Sequence, residues 1–317
     1  LSTVTLDLHA VGAAMDAALG PGRVRREEPL GPLTTYRVGG AARLFVVANT
    51  SAELTAMATV IAADPCPVLV IGKGSNLLVA DRGFNGVAVV LGEGFAGHAA
   101  GVDGDPTIVR AGGAAFLPVL ARQSAAQALT GFEWAVGVPG SIGGAVRMNA
   151  GGHGSDMAAS VRRVEVVDLY RATTTVVDVA QLGLRFRGSD VAASHVVTWA
   201  ELALAPGDPE RSRTELADIV RWRREHQPGG QNAGSVFTNR PDVPAGRLVD
   251  EAGAKGLRVG TAAISDKHAN FIQADPGGSA DDIWALMRTV AAMVERHSGI
   301  VLVPETRVVG YDDEVWW

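Results

Sequence analysis

The chain has 317 residues, 47% of them hydrophobic and 20% charged, with a formal net charge of -6. That length exceeds one typical domain and allows a substantial core, and the mildly acidic balance argues against broad nucleic-acid binding. Cys66 is the only cysteine, which excludes an intrachain disulfide and any zinc site made of cysteine pairs; the 7 histidines include no HxxxH or HExxH spacing, so no metal site is expected.

Residues 1–22 have no basic region ahead of an apolar run, and Asp7 and Asp16 interrupt their hydrophobic character. Neither a signal peptide nor a membrane span is read there, so a soluble, cytoplasmic protein with no membrane partner is expected. Arg43–Val47 is a short apolar run suited to a strand. Thr50 and Glu53 then have capping-box spacing ahead of Leu54, Met57, Ala58 and Ile61, which recur on one helical face. Val68-Leu69-Val70-Ile71 reads as a buried strand, so the first part is β-α-β. It runs into Gly72-Lys73-Gly74-Ser75-Asn76-Leu77, a glycine-serine turn suited to an anion pocket. Gly86–Leu91 and Thr107–Ala111 read as further strands, and Ala115–Leu129 as an alanine-rich helix with Pro118 near its start.

Six of the sixteen residues 137–152, GVPGSIGGAVRMNAGG, are glycine. Glycine permits close backbone approach, and oriented amides in such a turn form an anion-binding concavity without a lysine. The spacing matches neither GxxxxGK[ST] nor GxGxxG, which disfavours a P-loop and a dinucleotide fingerprint. Beyond it, Val161–Asp168, Thr174–Val179 and His195–Leu204 read as strands of a second lobe, and Pro206-Gly207-Asp208-Pro209 as a linker. Ser212 and Glu215 have capping-box spacing for a helix ending near His226, which carries the basic cluster Arg221, Arg223 and Arg224. Gly246–Ala252 reads as helix, Val259–Ile264 and Asn270–Gln273 as short strands. Ser279–Ser298 is the clearest helix, with Trp284 and its methionines read as core.

The central stretch closely resembles the flavin-binding signature of the UDP-N-acetylenolpyruvoylglucosamine reductase (MurB) family, and the likeness extends from about Thr34 to Gly310. Thr35-Tyr36-Arg37-Val38-Gly39-Gly40 is similar to the family's first flavin segment, and Gly72–Val79 to its pyrophosphate turn. Phe186-Arg187-Gly188-Ser189 falls where the family has Tyr-Arg-x-Ser. Arg223-Arg224-Glu225-His226-Gln227-Pro228, Gly234-Ser235-Val236-Phe237-Thr238-Asn239 and Pro304-Glu305-Thr306-Arg307 follow in the family's order. Phe186 and His153 replace tyrosines of the family pattern, His226 a lysine, and Thr238 and Arg240 alter its Phe-Lys-Asn-Pro.

The resemblance implies an α+β fold: a two-lobed FAD-binding module of the vanillyl-alcohol-oxidase (PCMH) type over residues 1–206, with lobes at about 1–92 and 93–206. A C-terminal α+β substrate domain would occupy 207–317. The short segment between Arg187 and Ser235 resembles the type II enzymes. FAD contacts are implied at Tyr36, Arg37, Val38, Gly39, Gly72, Lys73, Gly74, Ser75, Asn76, Leu77, Gly137, Val138, Pro139, Gly140, Ser141, Gly143, Gly144, Asn149, Gly151 and Arg223. Substrate contacts are implied at Asn239 and His268.

The implied reaction is NADPH-driven reduction of the enolpyruvyl ether of UDP-N-acetylglucosamine to UDP-N-acetylmuramate, a step of peptidoglycan precursor synthesis. FAD accepts hydride from NADPH, and flavin N5 then delivers it to the terminal enolpyruvyl carbon. By the same resemblance, Arg187 stabilises the charge that develops on the adjacent carbon and carboxylate, since a guanidinium engages a carboxylate bidentately. Ser235 donates the proton, and Glu305 supports the enolic intermediate, protonated or through water. Two other readings share the flavin signature. One is an FAD-linked oxidase of an alcohol or hydroxy acid, the other a noncatalytic flavin-binding paralogue.

Overall fold

Thr50 starts its helix as the spacing requires. In the computed structural model, which describes residues 7–311, its hydroxyl accepts from the Glu53 amide at 3.2 Å and the helix runs Ser51–Ala63. Glu53 reaches back to the amide of Asn49 at 2.7 Å, so the reciprocal cap closes one residue further out than the standard box. A second helix, Leu8–Leu19, is capped by Asp7 and buries Val11 and Met15 against the same core. The Asp7 cap and the spacing of Val11 and Met15 are the sequence signals of this helix.

The chain gathers into two compact units. The first takes the N-terminal segment through Glu27 together with Arg43–Lys73 and Gly86–Arg221; the second takes Glu28–Ala42, Gly74–Asn85 and the chain from Trp222 onward. The boundary expected at residue 206 thus lies inside the first unit, and the long helix Pro209–His226 runs from one unit into the other. Pro206–Pro209 is no bare linker. Ala205–Pro206 pairs with Leu129–Thr130, and the Gly207 amide donates to Ala128. The helix begins at Pro209, where a missing N–H costs nothing, so Ser212 lies within it instead of capping it. Its buried hydroxyl donates instead to the Glu133 carboxylate at 2.5 Å.

Most of two sheets lies in the first unit. One has the order Arg25–Pro29, Ala41–Ala48, Phe84–Leu91, Val68–Ile71, the last pair parallel with Val68 opposite Val87. The other is antiparallel, in the order Thr173–Asp178, Val161–Asp168, His195–Ala203, Ile108–Gly112, His98–Ala100. Each has its own apolar core: Leu44, Val46, Val87 and Val89 with the two N-terminal helices, and Val109, Val164, Val197 and Leu202 with the helix Leu117–Ala126. Cys66 is buried in the former core, and burial, with Asp64 adding, pushes its thiol up to about 11. On the second sheet the carboxylate of Glu201 is fully buried and takes hydrogen bonds from Arg110 and Arg163 at 2.5 Å each. Burial pushes that carboxyl up, but the two guanidinium bonds outweigh it and hold it below the ordinary range.

The second unit packs the helix Ala280–Ser298 on a three-stranded sheet, Arg258–Val259, Ala262–Ile264 and Ile272–Ala274. Ser279 caps the helix and Gly299, at φ +71°, ends it. Ile283, Met287, Val290 and Val294 are buried, and Trp284 packs against the core while stacking on Tyr311. The segment expected as one strand, Val259–Ile264, is a hairpin that reverses at Gly260, φ +51°. A parallel pair joins Leu77–Val79 to Arg307–Val309. Among the described residues no helix is long and apolar enough to cross a membrane, and no group of three or more histidine, cysteine or acidic side chains is placed to hold a metal.

Candidate active site

Three of the segments singled out in the sequence meet in the second unit. The Asn76 side chain donates to the Glu305 carbonyl at 3.0 Å, and the Asn76 carbonyl accepts from the Arg307 amide. The Glu305 amide donates to Val236 at 2.7 Å, and Phe237 bridges Pro304. The turn Gly74–Leu77, the serine segment and the glutamate segment are therefore one backbone network, although 229 residues separate Asn76 from Glu305. Ser235 and Glu305 are both half-buried within it. A buried side chain secures the serine: Asn270 accepts from the Phe237 amide at 2.9 Å and donates to the Phe237 carbonyl at 2.8 Å, while its own carbonyl accepts from Val236. On the other side of Ser235, the Asn232 side chain accepts from Gly234, which is at φ +77°.

His268 lies one step beyond, its Nδ1 accepting from the Asn270 amide at 3.2 Å and its ring edge-on to Phe271. Burial lowers its pKa from the ordinary value, the charge of Lys255 adding to the effect. Asn239 is exposed; its side-chain oxygen accepts from Ala245 at the start of the helix Ala245–Glu251, which leaves its amide group for a ligand. The Arg223 guanidinium, on the last turn of its helix, is half-buried, and desolvation alone lowers its pKa. A desolvated guanidinium gains from an anionic partner.

The first flavin segment belongs to the same unit. Tyr36 and Val38 are buried and Arg37 is exposed. Arg37 stands at φ +59° with its amide held by the Thr34 hydroxyl. The Tyr36 hydroxyl lies beside those of Thr306 and the backbone of Ala233 without closing a hydrogen bond of ordinary geometry, and burial raises its pKa well above the phenol range. Glycine at 74 is a matter of chain packing: a Cβ there would stand 2.7 Å from the Thr34 Cα.

In the first unit the long glycine motif is held differently. Gly137, Gly140 and Ser141 are buried, while Pro139 and Gly144 are exposed. The amides were expected to face a ligand, and several do not. Gly140 donates to Val138, Ile142 to Ala115 and Gly143 to Gly113, because the short helix Ile142–Met148 must be anchored to the end of the strand Ile108–Gly112. What remains is the close approach of Gly72 to Ser141. The Ser141 hydroxyl is buried with no hydrogen-bond partner, and a Cβ on Gly72 would collide with it. An orphaned donor beside a glycine cradle fits the polar part of a bound flavin nucleotide. Lys73 and Gly72 are exposed at the mouth of the same turn.

Arg187 lies in the first unit at the tip of a two-residue turn: the Arg185 and Gly188 backbones exchange hydrogen bonds at 2.9 and 3.0 Å. Its Nη1 donates to the Gly151 carbonyl at 3.4 Å, and its guanidinium lies 5.1 Å from the ring centroid of Phe186, which is 63% exposed. Gly151–Gly152 pairs with Ser155–Asp156 around His153 and Gly154, both at positive φ, the form of a tight hairpin turn. Asn149, also left-handed at φ +40°, is buried, and its side chain is committed to the protein. It donates to Asp156 and to the Arg185 carbonyl and accepts from Ala158.

Family models match the FAD binding domain over residues 42–179 and the C-terminal domain of UDP-N-acetylenolpyruvoylglucosamine reductase over 226–309. The UDP-N-acetylenolpyruvoylglucosamine reductase 2 of Symbiobacterium thermophilum is 38% identical, covering 92% of this chain and 94% of that protein. The chain belongs to the UDP-N-acetylenolpyruvoylglucosamine reductase family. The Anaeromyxobacter enzyme of that name is 40% identical over 91% of this chain and 89% of its own length. The crystal structure of the Thermus caldophilus reductase superposes with a TM-score of 0.79 at 33% identity, covering 90% of this chain and 99% of that one. The α+β fold with an FAD-binding module and a C-terminal domain is the one expected from the sequence.

Sequence reasoning missed Asn232, Asn270 and Arg185, which hold the candidate catalytic segments without belonging to a motif. Asn232 had a signal, since asparagine two residues before a glycine is turn chemistry. Asn270, read only as the start of a strand, had none.

Proposed function

We propose that this chain catalyses the FAD-dependent, NADPH-driven reduction of UDP-N-acetylglucosamine enolpyruvate to UDP-N-acetylmuramate, in the cytoplasm, where peptidoglycan precursors are made. The observation that carries the reading is the joining of Asn76, Ser235 and Glu305 segments through the Val236–Glu305 and Asn76–Glu305 hydrogen bonds, in a chain of this family. Flavin binding is assigned mainly to residues 1–206, with Arg223 added from the C-terminal part, and substrate binding mainly to 207–317, with Arg187 added from the N-terminal part; the two family models match within these spans.

When bound, FAD supplies two-electron carriage from NADPH to the enolpyruvyl double bond. Flavin contacts are assigned residue by residue: Gly72 and Ser141 in the first unit, and Tyr36–Gly39, Gly74–Leu77 and Arg223 in the second, where the desolvated Arg223 cation suits an anionic part of the cofactor. Arg187 binds the substrate carboxylate, and its fixed charge favours the electron density that collects beside it in the transition state. Ser235 holds a proton at Oγ and gives it to the carbon next to the carboxylate, completing addition of hydrogen across the double bond. Glu305 lends a proton, its own or that of a water, to the enolic oxygen. The amide of Asn239 and the ring of His268 are assigned to the nucleotide sugar. NADPH and the substrate would each exchange electrons with the same cofactor, so they are expected to bind in turn, with ping-pong kinetics.

The test is an anaerobic half-reaction assay on the yellow protein. NADPH is expected to bleach the flavin and the enolpyruvyl nucleotide to restore its colour. Ser235→Ala should preserve bleaching and slow the return by about 100-fold or more. Equal loss of both half-reactions would remove Ser235 from the proton step, and recolouring by hydroxy acids or oxygen alone would favour an oxidase.

A further inference from the structure

The turn that carries Arg187 has the wrong residue for its geometry. A two-residue turn with positive φ only at its second central position calls for glycine there, yet that position is Arg187, at φ +58°, and glycine comes one residue later. A left-handed arginine persists only where its surroundings over-determine it. The surroundings are specific. The Arg185 guanidinium donates to the Gly183 carbonyl at 2.9 Å, to Asp190 Oδ1 at 2.6 Å and to the Ser189 carbonyl at 3.1 Å, so one side chain spans the base of the loop on both arms. Asn149 tethers the Arg185 carbonyl from below, and the Ser189 hydroxyl donates to Arg147 at 2.7 Å. The Asp190 carboxylate sits where a Cβ of Gly183 would stand, so the fork closes only because residue 183 is glycine.

We propose that Arg185 is a positioning residue for the reduction. With Asp190 and Asn149 it sets the Phe186–Arg187 turn, and so the place at which the Arg187 guanidinium meets the substrate carboxylate. The inference rests on the role proposed for Arg187. Arg185 and Asp190 are both well exposed, with side chains 60% and 64% accessible. An exposed pair adds little to global stability, so its loss should leave the fold intact while freeing the turn. A small displacement of an orienting group slows a chemical step far more than it disturbs folding.

The experiment compares Arg185→Met, Gly183→Ala and the double variant in anaerobic stopped flow, with thermal melting alongside. Arg185→Met is expected to slow flavin reoxidation by the enolpyruvyl nucleotide about 5- to 10-fold, with flavin reduction by NADPH and the melting temperature unchanged. Gly183→Ala displaces Asp190 and should give the same selective slowing, and the double variant should be no slower than the worse single one. Unchanged reoxidation in Arg185→Met, additive losses in the double variant, or equal slowing of both half-reactions would each overturn the positioning role. Arg187→Lys separates the two claims. If it reoxidises normally, the reading of Arg187 falls; if it fails while Arg185→Met is normal, only the clamp falls.

Discussion

Arg187 and Ser235 are held in opposite ways. Arg187 sits at the tip of a turn with a left-handed backbone, fixed by side chains that reach in from neighbouring loops. Ser235 has ordinary backbone angles and lies within a web of main-chain bonds, with Val236 donating to Asn270 and accepting from Glu305. A web of this kind spreads its load over many bonds and is strong where it is buried. A strained tip depends on a few polar contacts and is tuned by them. The contrast means that damage near Ser235 should register as lost stability, and damage near Arg187 as lost rate.

The largest effect expected is on the web. Asn270→Ala removes two hydrogen bonds from the buried backbone of Phe237 and should cost about 3 kcal/mol in denaturant unfolding. A loss well under half of that would show that the web is held elsewhere. The next effect tests the strain itself. Arg187→Gly should be more stable than Arg187→Ala by about 1 kcal/mol, because glycine accepts the left-handed angle and alanine does not. At Ser235 the order should reverse, with alanine more stable than glycine by about 0.5–1 kcal/mol. The same order at both positions would erase the distinction.

The smallest effect is a pH dependence. Burial depresses the His268 imidazole below its ordinary value of 6.5, so the unfolded chain takes up the proton first. The contribution of this residue is fully present above 6.5 and declines as pH falls through the depressed folded value. Unfolding curves from pH 8 downward should therefore show an acid-side loss that His268→Gln lacks; an identical slope in both proteins would remove His268 as its source.

Much of the fold could be read from residue order alone. The strand Val161–Asp168 and the helix after Ser279 have the expected limits, because alternation and a capped apolar stripe act locally. Ser212 misled because a capping box reads the same at a helix start and one turn inside it, and Pro209 with Asp208 had already opened the helix. The division into units was hidden for a different reason. Glu28–Ala42 and Gly74–Asn85 leave their sequence neighbours to join the C-terminal half, and no local pattern records so distant a choice. At the candidate site, Ser235, Glu305 and Asn76 are expectations from family likeness, whereas their joining through Val236 and Asn270 depends on tertiary pairing that spacing does not encode.

Cys66, buried and with its thiol raised to about 11, is almost entirely protonated at neutral pH and shielded from reagents. The protein thus comes with a silent thiol background. A cysteine placed at the exposed Phe186 position would be the one group that a maleimide dye or spin label finds, giving a reporter on the arginine turn without first stripping native sulfur from the chain.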